Sequence, residues 1–322
     1  MHIVIPDDYQ DAVRGLDCFA RLAGHQVTIY TDTTRDLDEL AARFHDADAL
    51  VLIRERTHIA DALLARLPRL KLIAQTGRGT AHIDVAACTR RGIAVTAGSG
   101  SAYATAELTW ALVLAAMRHI PQEVARLRAG HWQSTLGVGL RGRTLGIWGY
   151  GGIGTVVAGY GRAFGMRVLV WGRDGSLARA QADSYELAPS KEALFAQADV
   201  ISLHIKLNAE TRGIVTAAHL AQMKPTALLV NTSRAGLIAP GVLAEALRSG
   251  RPGMAALDVY EDEPVLGAAH PLLTLDNAIC TPHLGYVEKD SYEDYFGQAF
   301  DQVVAFAAGR PVGVVNHEVL GS

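Results

Sequence analysis

The residues with the plainest chemical reading lie in TLGIWGYGGIGTVVAGYGRAFGMRVLVWGRD (144–174), which contains Gly149-x-Gly151-x-x-Gly154. In a chain with 32 glycines the spacing alone means little, so the surroundings carry the argument. An apolar strand precedes the glycines, a helix begins among them, and a second apolar strand follows within one βαβ unit, so Gly152 and Ile153 join the three glycines as candidate cofactor contacts. Gly149 permits the tight turn, Gly151 lets backbone approach a pyrophosphate, and Gly154 lets the helix pack on the sheet. The free N–H groups and dipole at the helix start favour phosphate charge. The chemistry that fits is dinucleotide binding.

The second strand ends in LVWGRD (169–174). An acid at position 172 would hold the ribose hydroxyls and repel a 2′-phosphate. Gly172 removes that repulsion and Arg173 can pair with the phosphate, so the turn leans toward NADP. Asp174 can reach back to the ribose, which keeps NAD open; Arg173 is then a solvated turn residue.

Short apolar strands alternate with helical segments along nearly the whole chain. HIVI (2–5), VTIY (27–30), ALVLI (49–53), KLIA (71–74) and IAVT (93–96) read as strands, separated by helical patterns such as LDELAARF (37–44). A second series follows a long apolar helix, SAYATAELTWALVLAAMRHI (101–120), expected to close at Pro121. Its strands are TLGIW (144–148), RVLVW (167–171), VISLH (200–204), ALLVN (227–231), MAALDV (254–259) and NAIC (277–280). A final amphipathic helix covers 290–309. The alternation predicts two doubly wound parallel-sheet α/β units.

The length of 322 residues favours two domains, and 49% apolar with 20% charged residues is an ordinary globular composition. A net charge of −3 without a basic stripe argues against nucleic acid or an anionic membrane as partner. The longest apolar run, LTWALVLAAM (108–117), is too short to span a bilayer, and the N-terminus does not read as a signal peptide. Cys18, Cys88 and Cys280 are scattered and odd in number, which suggests core residues of a cytoplasmic protein rather than disulfides or a metal site.

Downstream of the glycines, LLVNTSRAGLI (228–238), ALDVYEDEP (256–264) and CTPHLGY (280–286) occur in that order. Together with GRGTAHIDVAACTRRGIAV (77–95), AELTWALVLAAMRHI (106–120) and GRPVGVVN (309–316), they resemble the D-isomer-specific 2-hydroxyacid dehydrogenases over nearly the whole chain. The resemblance implies a flavodoxin-like substrate domain, 1–99 with 288–322, into which a Rossmann-type dinucleotide domain, 100–287, is inserted, with the active site in the cleft. It also implies roles. Arg234 holds the substrate carboxylate and polarises its carbonyl, His283 is the acid/base, and Glu263 is its acidic partner. Thr232 and Asp258 contribute to the cofactor site, Asp258 near the nicotinamide. Arg78 and Gly79 belong to a loop whose N–H groups meet the substrate carboxylate, though Arg78 reads equally as solvent-facing. The implied assembly is a homodimer built around the apolar helix 103–119 and the segment 121–140. Composition does not single these residues out. Glu261, Asp262 and Glu263 are equivalent by type, and His204 and His270 read as structural.

The chemistry suits the residue types. Reduction of a 2-keto acid brings hydride to the carbonyl carbon and leaves charge on oxygen. A guanidinium binds the carboxylate in a planar, bidentate way, and a histidine with a carboxylate partner delivers a proton near neutral pH. The expected activity is an NAD(P)-dependent reductase of small 2-keto acids such as glyoxylate, hydroxypyruvate or pyruvate, with no metal. Gln75 and Thr76, where phosphoglycerate dehydrogenases tend to carry an arginine, weaken a phosphorylated substrate; Glu263 weakens a formate dehydrogenase. Phosphite oxidation stays a minor alternative. So does an NAD(H)-sensing binding protein of the corepressor type, which keeps the same three residues.

Overall fold

The computed structural model describes residues 1–321; Ser322, the last residue of the expected 288–322 segment, lies outside the described residues. The chain divides into two compact units, one formed by Met1–Ser101 with the segment from Glu288 onward, the other by Ala102–Val287.

The first unit holds β1 (His2–Ile5), β2 (Gln26–Ile29), β3 (Ala49–Leu52), β4 (Leu72–Gln75) and β5 (Ala94–Ala97). They form a parallel sheet in the order β2-β1-β3-β4-β5, the flavodoxin-like order. β3 and β4 are buried along their whole length, β3 as an unbroken apolar run and β4 as one that ends in the polar Gln75. The helix Leu37–Phe44 starts where Asp36 accepts a hydrogen bond from the Glu39 N–H at 2.9 Å, and it turns Leu40, Ala41 and Phe44 inward. The helix Lys289–Ala307 starts likewise on the Glu288 side chain, which accepts from Asp290 and Ser291 N–H groups, and packs on the same sheet.

The second unit holds β6 (Thr144–Trp148), β7 (Arg167–Trp171), β8 (Glu186–Leu187), β9 (Val200–Leu203), β10 (Leu228–Asn231), β11 (Met254–Leu257) and β12 (Ala278–Cys280). The order β12-β11-β10-β9-β6-β7-β8 is the Rossmann order with one added strand. β8, two residues long, carries no apolar alternation and is absent from the sequence reading. Apolar side chains fill both faces. Phe195, Leu203 and Leu229 lie in one cluster; Val113, Ile147 and Val230 lie in the other. Each such buried side chain contributes about 1.5–3 kcal/mol.

One expectation is corrected. The helix predicted to run to Pro121 ends at Met117, and a new helix, Ile120–Arg128, starts with Pro121 in its first turn. His119 makes the break with φ of +51°. Proline has no N–H to lose at a helix start, so there it opens a helix rather than closing one.

Candidate active site

The carboxyl ends of β6, β7, β10, β11 and β12 carry the candidate residues of the second unit. Gly149 follows β6 with φ of +101°. A β-carbon there would collide with the His204 carbonyl oxygen, and one at Gly154 with the Gly149 carbonyl oxygen. At Gly151 the situation is reversed, because a β-carbon would meet nothing within 4 Å. Gly151 is the residue before the helix Gly152–Ala163, whose first turn has no side-chain cap. Open space beside uncapped N–H groups fits the pyrophosphate of a dinucleotide. Gly149, Gly151, Gly152, Ile153 and Gly154 all belong to this turn or to the first turn of that helix. Among the described residues no cluster of metal ligands occurs.

Two contacts absent from the sequence reading brace this turn. The buried Tyr150 donates its hydroxyl to Asp183 Oδ2 at 2.6 Å, and Arg179 donates to the Tyr150 carbonyl at 2.8 Å. Both partners belong to the helix Asp174–Ala182 or its end. That helix starts from the carbonyl of Arg173, which accepts from Ser176 N–H at 2.8 Å and Leu177 N–H at 3.0 Å. Arg173 and Asp174 both have exposed side chains. A β-carbon at Gly172 would lie 3.1 Å from the Ser176 β-carbon, so a larger residue there would have to share that space. The only hint of the bracing in the sequence was a tyrosine between two glycines.

At the end of β10, Asn231 fixes the next turn. Its Nδ2 donates to the Arg234 carbonyl at 2.9 Å and its Oδ1 accepts from Ser233 N–H at 3.0 Å. Thr232 is buried, with its hydroxyl 2.7 Å from that of Thr109. Arg234 donates to the Ser233 carbonyl at 2.8 Å.

After β11, Asp258 is fully buried and its carboxylate accepts from Thr281 Oγ1 at 2.6 Å, Leu284 N–H at 2.7 Å and Gly285 N–H at 2.8 Å. It thus staples both flanks of His283, which sits at φ of +54°. A non-glycine residue in that region costs roughly 1–3 kcal/mol and persists only when its surroundings hold it. Asp258 supplies that hold.

His283 Nδ1 lies 2.5 Å from Glu263 Oε2, and Glu263 Oε1 accepts from Tyr260 N–H at 2.8 Å. The carboxylate partner assigns the proton to Nδ1. Among the described residues Nε2 makes no hydrogen bond, and the side chain keeps 26% exposure, enough for a ligand to reach it. Tyr286 packs edge-on at 5.6 Å. Burial works to raise the Glu263 carboxyl, but the hydrogen bond and charge of His283, with smaller help from Tyr260 and Arg234, hold it below the usual carboxylate range. The Arg234 charge thus acts in the same neighbourhood.

His204 donates to or accepts from Ser202 Oγ at 2.9 Å, and burial pushes it down to about 4. His270 pairs with Glu261 at 3.0 Å. Arg78 and Gly79 stand in the first unit, after β4, where Arg78 is exposed.

Residues 110–285 match the family model described as D-isomer specific 2-hydroxyacid dehydrogenase, NAD binding domain. The glyoxylate reductase of Aeropyrum pernix is 41% identical over 298 residues, covering 88% of this chain and 87% of that protein. The D-3-phosphoglycerate dehydrogenase of Methanocaldococcus jannaschii is 41% identical over 265 residues, 81% of this chain, which spans only 49% of that longer protein. A crystal structure of a phosphoglycerate oxidoreductase from Vibrio cholerae O395 superposes with a TM-score of 0.93 at 52% identity, covering 96% of this chain and 99% of that one.

Proposed function

Because the chain belongs to the D-isomer-specific 2-hydroxyacid dehydrogenases, oxidoreductases that use a nicotinamide cofactor, we propose that it reduces short 2-keto acids of the glyoxylate and hydroxypyruvate type. The observation that carries this reading is the 2.5 Å pair of His283 Nδ1 and Glu263 Oε2, which leaves Nε2 without a hydrogen bond among the described residues. A nicotinamide cofactor held at the glycine turn would supply hydride to the keto carbon. Arg234 binds the carboxylate and polarises the carbonyl. His283 delivers its Nε2 proton to the oxygen as charge develops there, and Glu263 steadies the imidazolium before transfer. The N–H groups around Arg78 and Gly79 receive the substrate carboxylate from the first unit's loop.

NADP is the proposed cofactor, with Gly172 clearing the site and Arg173 pairing with the 2′-phosphate; Asp174 is then a helix-start residue. Thr232 and Asp258 support the nicotinamide end. A homodimer belongs to the same reading. The helix Ile120–Arg128 buries none of its residues, and Trp132 and Leu136 after it are 76% and 93% exposed. So does a cytoplasmic location, in keeping with the free thiols of Cys18, Cys88 and Cys280.

A second reading, oxidation of 3-phosphoglycerate, is favoured by the 41% identity to the M. jannaschii dehydrogenase. A panel of glyoxylate, hydroxypyruvate, pyruvate, 3-phosphohydroxypyruvate and phosphite, run with NADH or NADPH or the oxidised cofactors, separates the two. The first reading expects turnover of the unphosphorylated keto acids, faster with NADPH. Turnover confined to the phosphorylated acid would replace it with the second.

A further inference from the structure

The loop after β4 is not electrically uniform. A β-carbon at Gly77 would collide with the guanidinium of Arg54, whereas one at Gly79 would collide with Glu55 Oε1 and lie 3.4 Å from Glu55 Cδ. The two charges therefore rest on two glycines of the same loop, a cation at one end and an anion at the other. Exposed Arg78 adds positive charge between them.

Glu55 is held there by its neighbours. Arg54 stands at φ of +55°, its N–H donates to Thr76 Oγ1 at 3.0 Å, and its carbonyl accepts from Gln75 Nε2 at 2.9 Å. On the other side, Arg56 donates to the Asp7 carbonyl at 2.8 Å and Thr57 donates to Asp7 Oδ2 at 2.5 Å. A residue pinned on both flanks, with its own side chain exposed, presents that side chain in a defined place. Beneath the loop, His82 is 8% exposed with neither ring nitrogen hydrogen-bonded, and burial pushes it down to about 4. It is neutral at pH 7 and adds no cation to the loop.

We propose that Glu55 is a specificity-determining residue, selecting 2-keto acids whose third carbon carries a neutral hydrogen-bond donor, such as a hydroxyl, over those carrying a phosphate. The assignment rests on the proposed use of this loop for the substrate carboxylate. A carboxylate only accepts hydrogen bonds, so it rewards a hydroxyl at the next carbon. It repels a phosphate dianion, and that repulsion is a device of exclusion as much as of attraction.

Titration calorimetry with glycolate, D-glycerate and 3-phosphoglycerate, in the presence of oxidised cofactor, tests this on the wild type, Glu55→Gln and Glu55→Ser. Glycolate, which lacks the third carbon, is the reference. Both variants should tighten 3-phosphoglycerate at least tenfold relative to glycolate, and Glu55→Ser should weaken D-glycerate relative to it. In turnover, kcat/KM for 3-phosphohydroxypyruvate over hydroxypyruvate should rise by the same factor. Unchanged ratios, or equal shifts for all three acids, would overturn the assignment. Failure of every keto acid to turn over would contradict the proposed reaction, while the binding ratios would still decide the role of Glu55.

Discussion

Two glycine loops face different neighbours. Around Gly149 and Gly154, the atoms a side chain would strike are backbone carbonyls, of His204 and of Gly149 itself. Around Gly77 and Gly79, they are the far ends of charged side chains, Arg54 and Glu55. Backbone cannot step aside, so the first loop is fixed by the fold and suits the part of a ligand that never varies, the pyrophosphate. Side-chain ends can be exchanged one residue at a time. On the proposed reading, the second loop is where a substrate preference can be written without disturbing the sheet. Each loop rests near a histidine made neutral by burial, His204 for the first and His82 for the second.

The contrast can be broken experimentally, beginning with the largest effect. Gly154→Ala should lower stability by about 2–4 kcal/mol in urea unfolding and weaken NADH and NADPH binding alike, because it pushes on backbone. A variant with wild-type stability and affinity would show that the turn is less constrained than its contacts indicate. Next in size is the pH response of His82. Burial holds its folded pKa down to about 4, against 6.5 for an ordinary imidazole. The unfolded chain thus takes up a proton first, and stability is full above about 6.5 and falls as pH drops toward 4. Between pH 7 and pH 5 this residue should account for about 2 kcal/mol of lost stability, a loss that His82→Leu removes. A wild-type slope in that variant would dispose of the idea.

Smaller again, Arg173→Ala should cost NADPH about tenfold in kcat/KM and leave NADH within about twofold, as expected for one charge-assisted contact. Equal losses with both cofactors would mean the residue serves the turn rather than the phosphate. Smallest should be Gly79→Ala. Its clash is with the mobile end of Glu55, so stability should stay within about 1 kcal/mol while the carboxylate is displaced. A drop as large as that of Gly154→Ala would erase the distinction between the loops.

The architecture was readable because both sheets are parallel and buried, and such strands announce themselves as apolar runs between helical segments. β8 escaped because two residues carry no pattern, and the break at His119 escaped because a proline next to a helix marks a start as readily as a stop. The glycine turn was legible locally. The pairing of Glu263 with His283 was not, since it spans 20 residues and three neighbouring acids compete by type; only the resemblance chose among them. Glu55 over Gly79 and the Tyr150–Asp183 brace left still less trace, because both depend on where separate loops meet in the folded sheet.

The central claim is that His283, oriented by Glu263, delivers the proton that accompanies hydride transfer. Single-turnover oxidation of NADPH by glyoxylate at pH 7, followed by stopped-flow in wild type and His283→Ala, addresses it most directly. The account predicts rapid oxidation in the wild type and a loss of about 10²–10⁴-fold in the variant, with NADPH affinity retained. Equal rates in the two proteins, or a wild type inert toward every short 2-keto acid, would contradict it.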